Sequence, residues 1–293
     1  NPVSMDITDT FDTHLHAMLM LRGSGSTVVD AAMADPDDAP IAGYKHSFDI
    51  EPTVSQLPSS TMVWGVGGAD YYFYGMTVDS FQVEGTRSDQ PNFTATLMGT
   101  GKHGKVATVG APTMLSYVKP EYVKGAETQI HYTDSGLVYL ADRASGVQRG
   151  LAWSVSVGNN NITDDKRPGD KRIITGDPKS GHYVDRMLSG DREISGEVTI
   201  TVDTAMQEVA DSLSDKILTD FSIETNGGRI NPTEIGGAQY GTDFIFPKCY
   251  VSTEEATDDN GLAAIRMTIF PVYDETAGTS LQFVVNNTAA TLV

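Results

Sequence analysis

GDREISGEVTITVD, residues 190–203, decides the fold class of this chain. Ile194, Gly196, Val198, Ile200 and Val202 alternate with Glu193, Ser195, Glu197, Thr199 and Thr201, the period of a strand with one dry and one wet face. The stretch immediately after it changes period. Thr204 with Gln207 three residues on forms a helix-start signal, and Met206, Val209, Ala210, Leu213 and Ile217 recur at helical spacing, which predicts a short amphipathic helix.

The same grammar occurs near residue 1. Val3, Met5 and Ile7 alternate with Ser4, Asp6 and Thr8, and Leu15, Met18 and Leu19 follow at helical offsets. At one constant offset the two stretches superpose, pairing Val3 with Ile194, Asp6 with Glu197, Thr13 with Thr204 and Leu15 with Met206. Further along each copy come two strands joined by a polar turn: 71–83 and 93–97 in the first, 243–251 and 264–272 in the second, whose turn centres on Asp258, Asp259, Asn260 and Gly261. Two copies at a long period indicate an internal duplication and two like domains rather than a solenoid. The first copy has no counterpart to the alternating strand Leu151–Val157 or to the loop after it. Position 1 is Asn rather than Met, so the chain is expected to start inside a repeat, short of roughly one strand and one loop.

Composition narrows the function. The net charge of -19 argues against a grip on nucleic acid, because phosphate binding draws on clustered Lys and Arg to release counterions. Cys249 is the only cysteine, so no intrachain disulfide forms, and a structural thiol in a strand is expected. No apolar run is long enough to span a bilayer and no signal peptide is visible, so no membrane is expected among the partners. GTGKHGK at 99–105 satisfies most of a phosphate-binding loop, yet Val106 stands where the hydroxyl residue belongs and no helix follows; a flexible linker is expected instead. Gly65, Gly67 and Gly68 read as a turn before the strand that starts near Tyr71. His14 and His16, two apart on a helix, point away from each other and are expected to be solvated. No Ser/His/Asp order, paired carboxylates or metal-ligand spacing places a catalytic site. The expectation is a chain that is not an enzyme and has no catalytic residues, cofactor or metal.

Taken in order, WSVSVGNNN at 153–161, a long polar loop, and GDREISGEVTI at 190–200 resemble the hallmark of tail tube proteins (major tail proteins) of bacteriophages with long, non-contractile tails, whose pattern is a SxSxxNN strand, a loop and a GxREhxGxhTh strand, h being apolar. FYGMTVDS at 73–80, TATLMGTG at 94–101 and VYDETAG at 272–278 with Leu281–Val285 are similar to further segments of that family. The likeness covers most of the chain, and it rests on the order and spacing of motifs that are individually weak. The insert at 22–44, with Asp35, Asp37 and Asp38, has no equal in the second copy and is expected on the outer surface.

That resemblance implies a mainly β fold with short helices: two tandem tail-tube-like β-sandwich or barrel repeats, each with one flanking α-helix, at 1–120 and 121–293. It implies a structural virion protein whose rings stack into the hollow tube that conducts phage DNA during genome ejection. Single-repeat relatives form hexamers, so a duplicated chain implies a homotrimeric, pseudo-hexameric ring. Partners are then further copies of the chain and the tape-measure, tail-tip and tail-terminator proteins, with DNA passing without specific binding, in a virion tail assembled in the bacterial host cytoplasm. The loop at 158–189 would reach the next ring, and Asp164, Asp165, Lys166, Arg167, Lys171, Arg172, Lys179 and Arg186 are its candidates for inter-ring contact. Ser4, Asp6, Thr8, Glu193, Ser195, Glu197, Thr199 and Thr201 are the lumen-facing candidates. The alternatives are a surface adhesin or other carbohydrate-binding β-sandwich, which the acidic, Thr-rich composition also suits, and an enzyme of unknown reaction.

Overall fold

The structure is a computed structural model that describes residues 3–33, 43–50, 57–66, 69–101, 103–106, 122–134, 136–142, 147–148, 150–161, 190–201, 213, 216–230, 238–253, 257–259 and 262–292. The chain is mainly β. In order come β1 (Val3–Thr10), α1 (Leu15–Ser24), β2 (Val29–Ala32), β3 (Tyr44–Asp49), β4 (Ser60–Val66), β5 (Ala69–Thr86), β6 (Asn92–Gly99), β7 (His103–Val106) and β8 (Val123–Thr133). There follow β9 (Leu137–Asp142), β10 (Val147–Gln148), β11 (Gly150–Gly158), β12 (Glu193–Thr201), β13 (Ile217–Arg229), β14 (Gln239–Thr253), β15 (Thr257–Asp259), β16 (Leu262–Pro271) and β17 (Gln282–Asn287).

Strand pairing is antiparallel and falls into two curved layers. One runs β1–β6–β5–β11–β12–β16–β14. The other runs β2–β3–β17–β14–β13–β8–β9–β10. They join at both sides of the second half, because β14 belongs to both layers and β10 leads directly into β11. The corner in β14 lies at Pro247, which has no N–H to give and stands across from Asp220, whose φ is 51. Phe246 and Cys249, of opposite parity along the strand, are accordingly both buried.

A single buried cluster fills the space between the layers. Phe48, Phe283, Phe244, Ile223 and Ile130 form one continuous cross-strand row from β3 to β8. It faces the other layer, where Phe81 meets Phe283 at 5.9 Å and Trp153 meets Phe244 at 5.7 Å between ring centroids. Trp153 also requires Gly85 beside it on β5: a Cβ there would come within 2.7 Å of the indole. The pairing of β5 with β11 and of β17 with β3 means that residues before and after position 120 share both layers and one core.

α1 covers the first part of that core. Asp12 Oδ1 accepts the His14 and Leu15 N–H groups, and the helix buries Ala17, Leu19, Met20 and Gly23 against Phe81 and Val78. His16 is not solvated as the sequence suggests. It is buried, stacked on Phe93 at 4.4 Å, with its pKa lowered by that burial against the opposing pull of Asp12 and Asp9.

Three further readings change or stand partly outside the described residues. Ile217 does not continue the helical face, because it opens β13 opposite Tyr250 and is 61% exposed. The remainder of the helix expected after Thr204 lies outside the described residues, except Leu213, which is helical and buried. The expected linker at 99–105 is partly a strand: Gly101, with φ 82, turns the chain, and β7 then pairs with the first half of β5. From the insert at 22–44, Val29–Ala32 forms the exposed edge strand β2 beside β3.

Candidate functional site: a polar sheet face and the base of the long loop

Alternation along each strand of the first layer sends small polar side chains to the side away from the core. Three cross-strand rows define that face. Thr10, Asn92, Glu84, Ser154, Glu197, Thr268 and Ser252 form one row across all seven strands. Beside it run Thr8, Thr94, Gln82, Ser156 and Ser195, and then Asp6, Thr96, Ser80, Gly158 and Glu193. Ser4 stands opposite Met98, Thr199 opposite Arg266 and Thr201 opposite Ala264. The eight lumen-facing candidates thus share one face of one sheet. Val198 and Ile200 point into the core, whereas Val3, Met5 and Ile7 are only half-buried because β1 is the outermost strand.

The face is sparsely charged and locally neutralised. Thr96 donates to Asp6 Oδ1 at 2.9 Å, the Ser156 and Ser195 hydroxyls meet at 2.8 Å, and Arg266 forms an ion pair with Glu197. Two open hollows lie on it, one over Gln82, Ser156, Ser195 and Phe270, the other over Glu84, Trp153, Glu197 and Arg266. Gln82, Glu84, Thr94, Thr96 and Arg266 were not singled out from the sequence. Their signal is the alternation Phe81-Gln-Val-Glu84 and Thr94-Ala-Thr-Leu97, which has the same period as the strands that were.

Two three-stranded units within this sheet have the same register. In β1–β6–β5, Asp6 stands opposite Thr96 and Thr96 opposite Ser80. In β12–β16–β14, Glu197 stands opposite Thr268 and Thr268 opposite Ser252. Asp6 and Glu197 are the residues that the sequence superposition pairs. The units differ at one edge: β11 covers the outer side of β12, while β1 pairs only with β6 among the described residues.

The second feature is the base of the loop at 158–189. Asn159 donates from its buried amide to Gly23 O and Val78 O, both at 3.0 Å, and Gly190 N–H returns to Asn159 O at 3.0 Å. The Asn161 N–H donates to Asp79 Oδ1 at 2.7 Å, and Arg192 donates to Ser24 O at 2.8 Å and Gly23 O at 3.3 Å, supplying a cation to the carbonyl end of α1. A Cβ at Gly190 would lie 2.2 Å from Asn160 O, so only glycine lets the two ends of the loop close this tightly. Asp164, Asp165, Lys166, Arg167, Lys171, Arg172, Lys179 and Arg186 lie outside the described residues. Arg192→Met should cost about 1–2 kcal/mol, since it strips charged donors from half-buried carbonyls; urea unfolding measures it, and an unchanged midpoint would contradict the anchor.

Two carboxylates stand together on the outer side of the second layer. Asp243 faces Glu224 across β14 and β13, and Glu224 Oε1 lies 2.9 Å from His131 Nε2. Burial and the Glu224 charge push the Asp243 carboxyl up to about 7, with Lys45 and His131 opposing. Among the described residues no group of His, Cys, Asp and Glu is arranged to hold a metal ion. Cys249 is buried, and burial pushes its thiol up to about 12, as suits a structural side chain. An acid with a raised folded-state pKa stabilises the fold most below its unfolded value, and that stability is lost as pH rises through about 7. Asp243→Asn should therefore gain on the order of 2–4 kcal/mol at pH 8 and little at pH 4, from about 1.4 kcal/mol per pKa unit. Denaturant melts at both pH values test this, and an equal effect at both would refute it.

Compared with known protein families and curated proteins, the chain matches none. No helix among the described residues is long and apolar enough to cross a membrane.

Proposed function

We propose that this chain is a structural virion protein, the tail tube protein of a bacteriophage with a long, non-contractile tail. Three copies form a ring, and rings stack into the tube through which DNA passes. The observation that carries the reading is the repetition of one three-stranded unit, in one register, within a sheet whose face away from the core is lined by Thr, Ser, Gln and Glu. A passage for DNA calls for such a face, because hydroxyls and carboxylates offer phosphates no cation to exchange for. Among the described residues β1 is open on one side, which supports self-assembly, since the matching side of β12 is covered by β11. On this reading the two units are repeats of a duplicated gene product, the loop rooted at Asn159 and Gly190 contacts the next ring, and tape-measure, tail-tip and tail-terminator proteins are further partners. The localisation that follows is the virion tail, assembled in the host cytoplasm.

Mass photometry followed by negative-stain microscopy of concentrated protein tests the proposal. Trimers that convert to rings or tubes are the expected result. A monomer at all concentrations, the behaviour of an adhesin, would sink it, as would a stable hexamer.

A further inference from the structure

The first half of β5 leaves the main layer and is flanked by β4 and β7 in a small three-stranded arm. Its counterpart is the first half of β14, flanked by β13 and β17. The correspondence follows chain order: β7 comes directly after β6 as β17 comes after β16, and β4 leads into β5 as β13 leads into β14. In the second unit both flanks are covered, β13 by β8 and β17 by β3 with β2 beyond it. Among the described residues, β4 and β7 have no strand on their outer sides.

We propose that the outer edge of β7 is a docking site for the β2 edge of a second copy of this chain. Three observations converge on that occupant. First, the matching edge of β17 receives the β3–β2 hairpin, so the unit is built to take a strand from that direction. Second, the arm has an apolar row on its solvent face: Val63 pairs with Tyr72, the Tyr72 and Tyr74 rings stack at 6.4 Å, and Val63 is 44% exposed. Third, among the described residues β2 ends its own layer with an open edge and Val29 is 67% exposed, and it is held in place from behind, where Asp30 Oδ1 lies 2.6 Å from Nδ1 of buried His46 and Asn287 Oδ1 lies 2.9 Å from Nε2. Pairing β2 of one copy with β7 of the next is a head-to-tail contact, which adds a strand to an edge by main-chain hydrogen bonds and closes into a ring when the rotation allows.

The inference needs the two matching units and not the tube reading, and cysteine cross-linking of the full chain separates the two. Ala31→Cys places a thiol on exposed β2, and Gly104→Cys places one on β7, where a Cβ meets nothing nearer than the Tyr74 ring at 3.8 Å. Cys249 is buried and stays silent. Oxidising a mixture of the two variants should shift protein from monomer to a covalent dimer, whereas neither variant alone should do so. Both variants should keep the wild-type thermal transition. A mixture without dimer, dimer from Gly104→Cys alone, or an internal cross-link when both substitutions sit in one chain would overturn the proposal. Amide exchange across 103–106 gives an independent reading: it should slow as protein concentration rises through assembly, and unchanged exchange in the assembled state would also overturn it. Rings that cross-link here but never stack would leave this contact standing while removing the tube.

Discussion

Phe283→Ala is expected to lower the unfolding free energy by about 3–5 kcal/mol, the range for emptying a fully buried aromatic site, and to move the whole unfolding transition. Phe283 sits on β17 with its ring 5.1 Å from Phe48, 5.8 Å from Phe244 and 5.9 Å from Phe81. Those partners come from both halves of the chain and from both layers, so the cavity opens at the centre of the shared core. Its walls are strands fixed by pairing on either side, which leaves little room to collapse. Deleting a peripheral side chain such as Leu137, which is exposed, should cost far less. Calorimetry with intrinsic fluorescence decides the matter. Two transitions, only one of which shifts, would mean that the halves unfold independently and that the rows from Phe48 to Ile130 do not couple them.

Asp6→Lys combined with Glu197→Lys should leave assembly intact and sharply reduce DNA delivery by particles carrying the variant. On the rows of the polar face, Asp6, Glu84, Glu193 and Glu197 stand against Arg266, a formal sum of −3, and the two substitutions change each position by +2 to give +1. On the proposed function the sign of the bore then reverses, and each ring would gain cations that can exchange with the counterions of passing DNA. Glu197→Lys also sets a second cation beside Arg266, so the double variant bears more excess positive charge than a neutral Gln pair would. The Asp6→Asn, Glu197→Gln variant is the control: it removes the carboxylates without creating a phosphate grip, and its delivery should stay near that of the parent. Adsorption, DNA release and titre are measured together. Normal titre from the Lys variant would show that this face does not line the path of DNA, as would an assembled structure with Asp6 and Glu197 turned outward.

Much of the fold could be read along the chain because its period is local. Residues 193–201 and 3–8 alternate strictly, so their strand state and their two faces follow from sequence, and Val198 and Ile200 are buried where Ser195 and Glu197 are not. Asn260 and Gly261, expected at a hairpin turn, lie outside the described residues, and the strands on either side of them, β15 and β16, pair with each other. Ile217 failed for a physical reason. An apolar residue four after Leu213 continues a helical stripe on paper, yet as the first residue of β13 it answers to Tyr250 across the ladder. His16 failed likewise, because stacking on Phe93, far away in sequence, outweighs the solvation expected of a short helix face.

The polar face divides the same way. Its residue types were set by alternation within each strand, which needs no knowledge of neighbours. That Arg266 would neutralise Glu197 while Asp6 would meet a threonine hydroxyl depends on which strands pair and in which register, as does the burial of Asp243 against Glu224. By itself, the sequence determined the β class and the two faces of the strands at 3–8 and 193–201, consequences of backbone periodicity over a few residues. Only the tertiary structure decided that both halves share one core, that β11 covers β12 while β1 has no second partner among the described residues, and that Asn159 and Arg192 are anchored on the end of α1. Those depend on contacts between residues far apart in the chain, where side-chain shape and ladder register rather than local pattern choose the partner.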